Sequence, residues 1–501
     1  MVTTTARERA GAREWAGLGV LALPTALLGL DVTLLYLALP ELTADLRPSA
    51  TQVLWIMDAY GFLIAGFLIT MGTLGDRIGR RRLLMIGAAA FGAVSVAAAY
   101  ATSAEMLIAA RAALGVAGAT LMPSTLALIS TMFADARQRT LAIGVWAMAF
   151  ALGMAAGPVV GGVLLEHFWW GSAFLIAVPV TGLLLVLAPP LLPEYRAPRG
   201  GPLDLPSVAL SLAAILPVIY AVKEGAETTS ALVAAAGVGF GVLFVRRQLR
   251  LPSPLLDVRL FAVRAFSAAL GVLLAGLVGV GGVMLLVTQY LQLVEGRSPL
   301  AAGAWMGPPA LMMFVAAIGG PLLARRIRPG HVVAGTLGLS TVGYLLLTQV
   351  GTASDTGLVV VGFGLVYFGL GGIAALGTDL VVGAAPPSRA GSASAVSETV
   401  QELGVAVGVA TLGSLATAVY RSRIGEALPS GLPEATRHSV EDGLPGASSV
   451  ASSLPGGVLD EAKEAFVAGL HAAALVGAVG VGLLTLLAVF TLRHVGTTGD
   501  D

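Results

Sequence analysis

What most limits the fold of this chain is a recurrence: fourteen mostly apolar runs, separated by short polar or Pro/Gly stretches. Their approximate limits are 15–39, 51–71, 83–101, 106–127, 140–163, 171–192, 207–222, 230–248, 266–290, 299–323, 331–350, 357–380, 390–417 and 467–492, and the seventh is the shortest. A helix rising ~1.5 Å per residue needs about 20 apolar residues to cross a ~30 Å hydrocarbon core. Spanning strands alternate polar and apolar positions, and these runs do not, so each reads as a membrane helix. Composition argues the same way. Of 501 residues, 56% are apolar and 12% charged, against roughly 45–50% and 25% in soluble domains. A soluble enzyme, a nucleic-acid binder and a disordered scaffold are excluded.

Charge gives the orientation. Net charge is zero, yet the 29 basic residues are unevenly shared between alternate connections. With the N-terminus inside, 21 fall on the inner side and seven on the outer, and Arg111 lies within a span. Cytoplasmic connections carry the excess of Lys and Arg, so the N-terminus is expected in the cytoplasm. An even number of spans puts the C-terminus there too. Lys223 and Lys463 are the two lysines, and neither ends a phosphate-cradling Gly-Lys-Ser/Thr loop. No ATP site is expected, therefore, and no other cofactor. There is no cysteine, and the five histidines have no metal-ligand spacing. A membrane enzyme would need a nucleophile–base pair or a metal cluster that this inventory does not offer.

A faint repeat relates Gly72–Arg82, between the second and third runs, to Gly320–Gly330, between the tenth and eleventh. Two six-helix halves with an inserted pair are implied, and duplicated halves are a mark of alternating-access carriers. The expected fold is an all-α integral membrane protein. Its parts are a cytoplasmic tail 1–14, a bundle 15–192, an inserted pair with flanking cytoplasmic loops 193–265, a bundle 266–492 and a cytoplasmic tail 493–501. The second bundle includes a long Ser/Pro/Gly-rich extracellular loop at 418–466, read as a partly ordered surface loop.

Three motifs narrow the class. Gly72, Gly75, Asp76, Arg77, Gly79 and Arg80 have a spacing that a simple basic anchor does not explain. The segment resembles the loop signature of the major facilitator superfamily, and the resemblance implies that Asp76 and Arg80 belong to a conformational latch between the halves. Arg111-Ala-Ala-Leu-Gly115-Val-Ala-Gly118 resembles that family's intramembrane-arginine motif. Gly153, Gly157, Pro158, Gly161 and Gly162 resemble the motif of its antiporters. Glycines four apart line one helix face and permit close packing, while proline bends the helix. Leu30–Pro40, Pro48–Tyr60 and Ala393–Gly404 look most like fourteen-span drug:proton antiporters, the quaternary-ammonium and multidrug exporters of Gram-positive bacteria and actinobacteria. Many relatives have Asn where this chain has Tyr36.

An acid within a span costs roughly 2.5–3.5 kcal/mol and normally faces a cavity or a partner. Five are candidates for proton coupling and substrate binding: Asp31, Asp58, Asp379, Glu398 and Glu402. Arg111 is their possible intramembrane partner, and pairing with it is the structural alternative for Asp31 and Asp58. By rise per residue, Asp31, Asp58 and Arg111 fall in the outer half, and Asp379 and Glu398 toward the inner face. Glu402 is one turn deeper than Glu398 on the same helix face. Two acids so close repel unless one holds a proton, which suits a proton carrier. Tyr36, Trp55, Tyr60, Trp146 and Trp305 are candidate aromatic surface for a cation, with an interfacial role as the alternative for the tryptophans.

The expected activity is proton-coupled efflux of lipophilic cations, namely quaternary ammonium compounds, dyes and drugs. The alternative is export of a single natural product or antibiotic for self-resistance. Acids in a cavity do not set direction; only the resemblance in the fifth run favours antiport over symport. The expected partners are such cations, protons and the lipid bilayer, with no nucleic acid. A monomer in the bacterial plasma membrane is expected.

Overall fold

The computed structural model describes residues 10–196, 204–224, 228–251, 254, 256, 258–324, 326–353, 355–383, 390–429 and 432–491. Most of the expected N-terminal tail and all of the expected C-terminal tail lie outside these residues. Among the described residues the regular structure is helical. In chain order the helices are α1 (Ala12–Leu46), α2 (Ala50–Ile78), α3 (Arg80–Ala99), α4 (Ala104–Met132), α5 (Ala136–His167), α6 (Ser172–Leu175), α7 (Ala177–Leu191), α8 (Leu205–Glu224) and α9 (Thr228–Arg250). There follow α10 (Arg264–Gln289), α11 (Pro299–Trp305), α12 (Gly307–Ala324), α13 (Pro329–Leu347), α14 (Thr356–Gly383), α15 (Ala390–Ala427), α16 (Glu434–Glu441), α17 (Leu444–Ser449) and α18 (Val458–Thr491).

Thirteen stretches among the described residues are long and apolar enough to cross a membrane. The expected seventh span corresponds to α8, whose apolar part, Leu205–Val218, is shorter. Two expected spans are broken. The run 171–192 divides at Ile176 into α6 and α7, and 299–323 divides at Met306 into α11 and α12. Pro179, and the pair Pro308–Pro309, lie just past the breaks. A proline there has no N–H to donate and crowds the carbonyl four residues back.

The packing partners repeat along the chain. In the first part α1 packs on α4, α5 and α7, and α3 and α4 pack together; in the second part α10 packs on α14, α15 and α18, and α13 and α14 pack together. The pairs α2–α4 and α3–α7 likewise match α12–α14 and α13–α18. Two bundles of the same design face each other, joined through α2–α15, α5–α11 and α1–α10. α8 and α9 pack on one another, with α8 lying against α2 and α15. The hairpin's base is clamped by Arg247, whose Nη2 is 2.6 Å from Asp204 Oδ1. Arg247 Nε also donates to Asp204 Oδ2 at 3.2 Å. The outer faces of such helices remain apolar: Leu232 and Val238 on α9 are 68% and 61% exposed, the pattern of a surface solvated by lipid.

Residues 418–466 hold more helix than their Ser/Pro/Gly content suggests. α15 runs on to Ala427, α16 and α17 follow, and the amphipathic stretch at Leu459–Phe466 forms the first turns of α18. Val440, Leu444 and Ala447 are buried, Tyr420 Oη donates to the Val440 carbonyl at 2.8 Å, and Arg421 pairs with Asp442 at 3.1 Å. These few apolar anchors fold the segment down against the end of the bundle, where α17 touches α1. That end is called the loop-rich end below, and the opposite one, at Gly79–Arg82, the arginine-rich end.

Candidate functional site

Helix α1 brings Asp31 to the middle of the bundle, and α4 brings Arg111 to meet it. Arg111 Nη1 lies 2.7 Å from Asp31 Oδ2, with the two side chains 3% and 12% exposed. Arg111 Nε donates to the Ile56 carbonyl at 3.1 Å. Its guanidinium carbon sits 4.5 Å from the centre of the Tyr60 ring, a cation–π arrangement. One arginine therefore ties α1, α2 and α4 together. An ion pair so dry is costly to form, and costlier still to break by removing one partner.

From this knot the charged groups reach the second bundle. The Tyr60 hydroxyl is buried and has no hydrogen-bond partner; it lies within electrostatic range of Asp31, Arg111 and Glu402 on α15. Tyr36 on α1 is in turn within range of Asp58, Arg111 and Tyr367 on α14. The Tyr367 hydroxyl donates to Met284 Sδ at 3.1 Å. Glu398 and Glu402 are half-buried on α15 and close enough to repel. The neighbouring Ser397 and Gln401 bond to Thr378 of α14 at 3.2 and 3.3 Å. Asp58 is buried. Asp379 falls on α14, and its side chain lies outside the described residues. Glu402 on α15 thus acts electrostatically on Tyr60, which also faces Arg111.

The candidate aromatics divide. Tyr36 and Tyr60 are buried among the acids. The Trp55 ring lies 6.4 Å from that of Tyr220 on α8, on the side of the inserted hairpin. Trp146 Nε1 donates to Thr125 Oγ1 at 3.0 Å. Trp305, at the end of α11, is 41% exposed and lies on the surface.

The glycine motif of α5 has a specific task. Pro158 has no N–H, so the Met154 carbonyl, four residues back, loses its helical donor. Thr33 Oγ1 of α1 donates to that carbonyl at 3.0 Å. The threonine reaches it because residue 157 is glycine: a Cβ there would strike Thr33 Oγ1 and lie 3.0 Å from the Leu30 carbonyl. Gly153 and Gly161 lie likewise against Ala26 and Leu34 of α1. Gly162 turns to the other bundle, where a Cβ would lie 2.8 Å from Leu300 Cα. Further contacts join the bundles toward the same loop-rich end. Leu54 abuts Gly413, and Gln292 Nε2 donates to the Leu37 carbonyl at 3.2 Å.

At the arginine-rich end, Arg80 holds Asp76 at 2.6 Å and points Nη1 toward the Pro123 carbonyl at 3.5 Å. Gly72 faces Pro123, and Gly75 makes room for the Arg80 side chain. Arg77 is exposed. Gly79 turns the chain at φ +112°, where a Cβ would sit 2.7 Å from Glu194 Cδ. The irregular segment after α7 packs against this turn as well. The Arg80 amide donates to the Tyr195 carbonyl at 2.9 Å, and the Arg81 amide to Glu194 Oε1 at 3.2 Å. Sequence reasoning missed Glu194, Tyr367, Gln401 and Thr378. For Glu194 a signal existed: a lone acid beside the end of a span, near Arg196 and Arg199.

Comparison with known proteins agrees with this architecture. The model of the Major Facilitator Superfamily matches residues 21–409. The chain is 44% identical to the multidrug efflux pump LfrA of Mycolicibacterium smegmatis over 484 residues, 95% of each protein. It is 34% identical to the methyl viologen resistance protein SmvA of Salmonella typhimurium, over 95% of this chain and 97% of that one. Among solved structures, a bacterial homologue of the human lysosomal transporter Spinster superposes with a TM-score of 0.67 at 16% identity, covering 97% of this chain and 98% of its own.

Proposed function

The chain belongs to the Major Facilitator Superfamily, and from that premise we propose that it exports lipophilic cationic drugs by alternating access, in exchange for protons. It is a multi-pass transporter of the bacterial cell membrane rather than an enzyme. In this reading the chain has fourteen spans, with both ends in the cytoplasm, since α8 pairs with α9 and the basic excess marks the inner side.

The observation that carries the reading is the placement of acids where the bundles meet. Arg111 already balances Asp31. Asp58, Glu398 and Glu402 are the further acids that can attract a cation, and Tyr60 is within electrostatic range of both Asp31 and Glu402. An arriving lipophilic cation finds an aromatic ring and an ionised carboxylate. A proton arriving from outside neutralises that carboxylate, removes the attraction and releases the cation outward. Return to the inward-open form gives the proton to the cytoplasm. A potential of ~100 mV adds about 2.3 kcal/mol per charge moved, enough for modest accumulation. Close packing at the loop-rich end, between Gly162 and Leu300 and between Gln292 and Leu37, makes those contacts the ones that must part for outward release.

The test is efflux from proteoliposomes carrying the full chain, with a panel of cationic, neutral and anionic compounds, with and without an uncoupler. Ethidium and quaternary ammonium efflux that needs a pH gradient is expected, with Glu402→Gln reducing it at least tenfold, a loss of about 1.4 kcal/mol of coupling. Export of one neutral product alone would favour a dedicated exporter. Efflux indifferent to the uncoupler would end the proton-coupled reading.

A further inference from the structure

A groove on the lipid-facing side of the second bundle lies outside everything described so far. It encloses about 920 Å³ between α12, α13 and the Phe368 ring of α14, within the ~300–1,000 Å³ range of ligand sites. On α12 it extends from Val315 to Leu323, with Arg326 and Ile327 just past that helix's end, and on α13 from His331 to Leu339. At ~1.5 Å per residue each of these helical lengths is about 12 Å, a little under half of the ~30 Å hydrocarbon core and so within one leaflet. The walls are apolar and open to lipid: Val315, Leu322 and Leu339 are 54%, 51% and 43% exposed.

Polarity is confined to one end. Arg326 and His331, both exposed, stand at the arginine-rich mouth. Helix α13 begins beside them at Pro329, without a side-chain cap on its first turn. A guanidinium, an imidazole and the positive end of a helix all lie at that mouth, groups that suit a phosphate. None of the lining residues is acidic. Deeper in, the Thr336 hydroxyl is already bonded to the Val333 carbonyl. The Arg326 guanidinium and the positive helix end repel lipophilic cations, so the groove is unsuited to the passengers proposed above.

We infer that this groove binds one anionic phospholipid of the leaflet at the arginine-rich end. An acyl chain lies between α12 and α13, and the headgroup phosphate rests on Arg326, His331 and the first turn of α13. Basic pockets between membrane helices on that side select anionic headgroups, each cation near the surface contributing about a fivefold preference. Gly319 and Gly335 contribute by what they lack: a Cβ at either would project into open space, so the groove floor is free for a chain.

Purified full-length protein, stripped of lipid, is titrated with phosphatidylglycerol or phosphatidylcholine of identical chains, and retained lipid is counted by native mass spectrometry. The wild type is expected to retain phosphatidylglycerol in preference. Arg326→Ala/His331→Ala should lower that preference about fivefold or more while leaving phosphatidylcholine retention unchanged. Gly335→Leu, with the charges intact and no neighbour to clash with, should reduce retention of both lipids at this site. Equal retention of the two lipids by the wild type overturns the inference, as does a preference that survives the double substitution. Displacement of the lipid by glycerol phosphate alone, at equal concentration, would also overturn it, because the acyl chain would then contribute nothing.

Discussion

The bond from Thr33 to the Met154 carbonyl exists because Pro158 removed that carbonyl's helical donor, and this dependence can be measured. Replacing Thr33 with Val keeps the shape but removes the donor, leaving a carbonyl orphaned in a dry interface. An orphaned buried acceptor costs ~1–3 kcal/mol. Hydrogen bonds between membrane helices average about 0.6 kcal/mol and reach about 1.7. Since the carbonyl has no helical partner to fall back on, a loss near the upper figure is expected. In a Pro158→Ala background the new N–H donates to Met154 within the helix, and Thr33→Val should then cost only ~0.5 kcal/mol. The cycle therefore has an expected coupling of about 1 kcal/mol. Reversible unfolding of the four proteins in mixed micelles, followed by circular dichroism, measures it. Equal costs of Thr33→Val in both backgrounds, to within ~0.3 kcal/mol, would refute the link between the proline and the threonine. Gly157 must remain glycine throughout, since a Cβ there would strike Thr33 Oγ1.

Other outcomes follow from the same geometry. Asp31→Asn strands the Arg111 cation, 3% exposed, and should destabilise the protein by ~3–5 kcal/mol; adding Arg111→Gln should recover the folded fraction by size-exclusion chromatography but not efflux. Gly79→Ala forces a side chain into φ +112° against Glu194 and should cost ~1–3 kcal/mol, read as a lower unfolding midpoint and slower transport. Burial tends to raise the Asp204 carboxyl, but hydrogen bonds from Arg247 and Ser207 prevail and hold it below the usual aspartate value. The clamp should therefore stabilise the α8–α9 hairpin fully above about pH 4 and weaken as pH falls through the lower folded value, whereas Asp204→Asn loses that acid dependence in a proteolysis assay of the hairpin. Trp305→Ala, at a surface position, should leave ethidium efflux within about twofold of wild type.

The sequence by itself determined the helical class, because hydrocarbon leaves the backbone no other economical way to satisfy its polar groups, and runs long enough to span are visible letter by letter. It also revealed the acids, Arg111 and the glycine–proline motif, since charged and helix-breaking residues stand out in an apolar chain. Only the tertiary structure decided that Arg111 belongs to Asp31, that Thr33 answers Pro158, and that Ser397 and Gln401 of α15 meet Thr378 of α14. Trp305 carries the same aromatic signal as Trp146, yet one is on the surface and the other is bonded to Thr125. Residues 418–466 read as loop by composition, but a few buried side chains fold them into α16 and α17. The reason is common to all of these. Periodicity and composition report how one segment meets its solvent, whereas a pairing between residues 80 or 120 positions apart depends on which helices the whole bundle brings side by side.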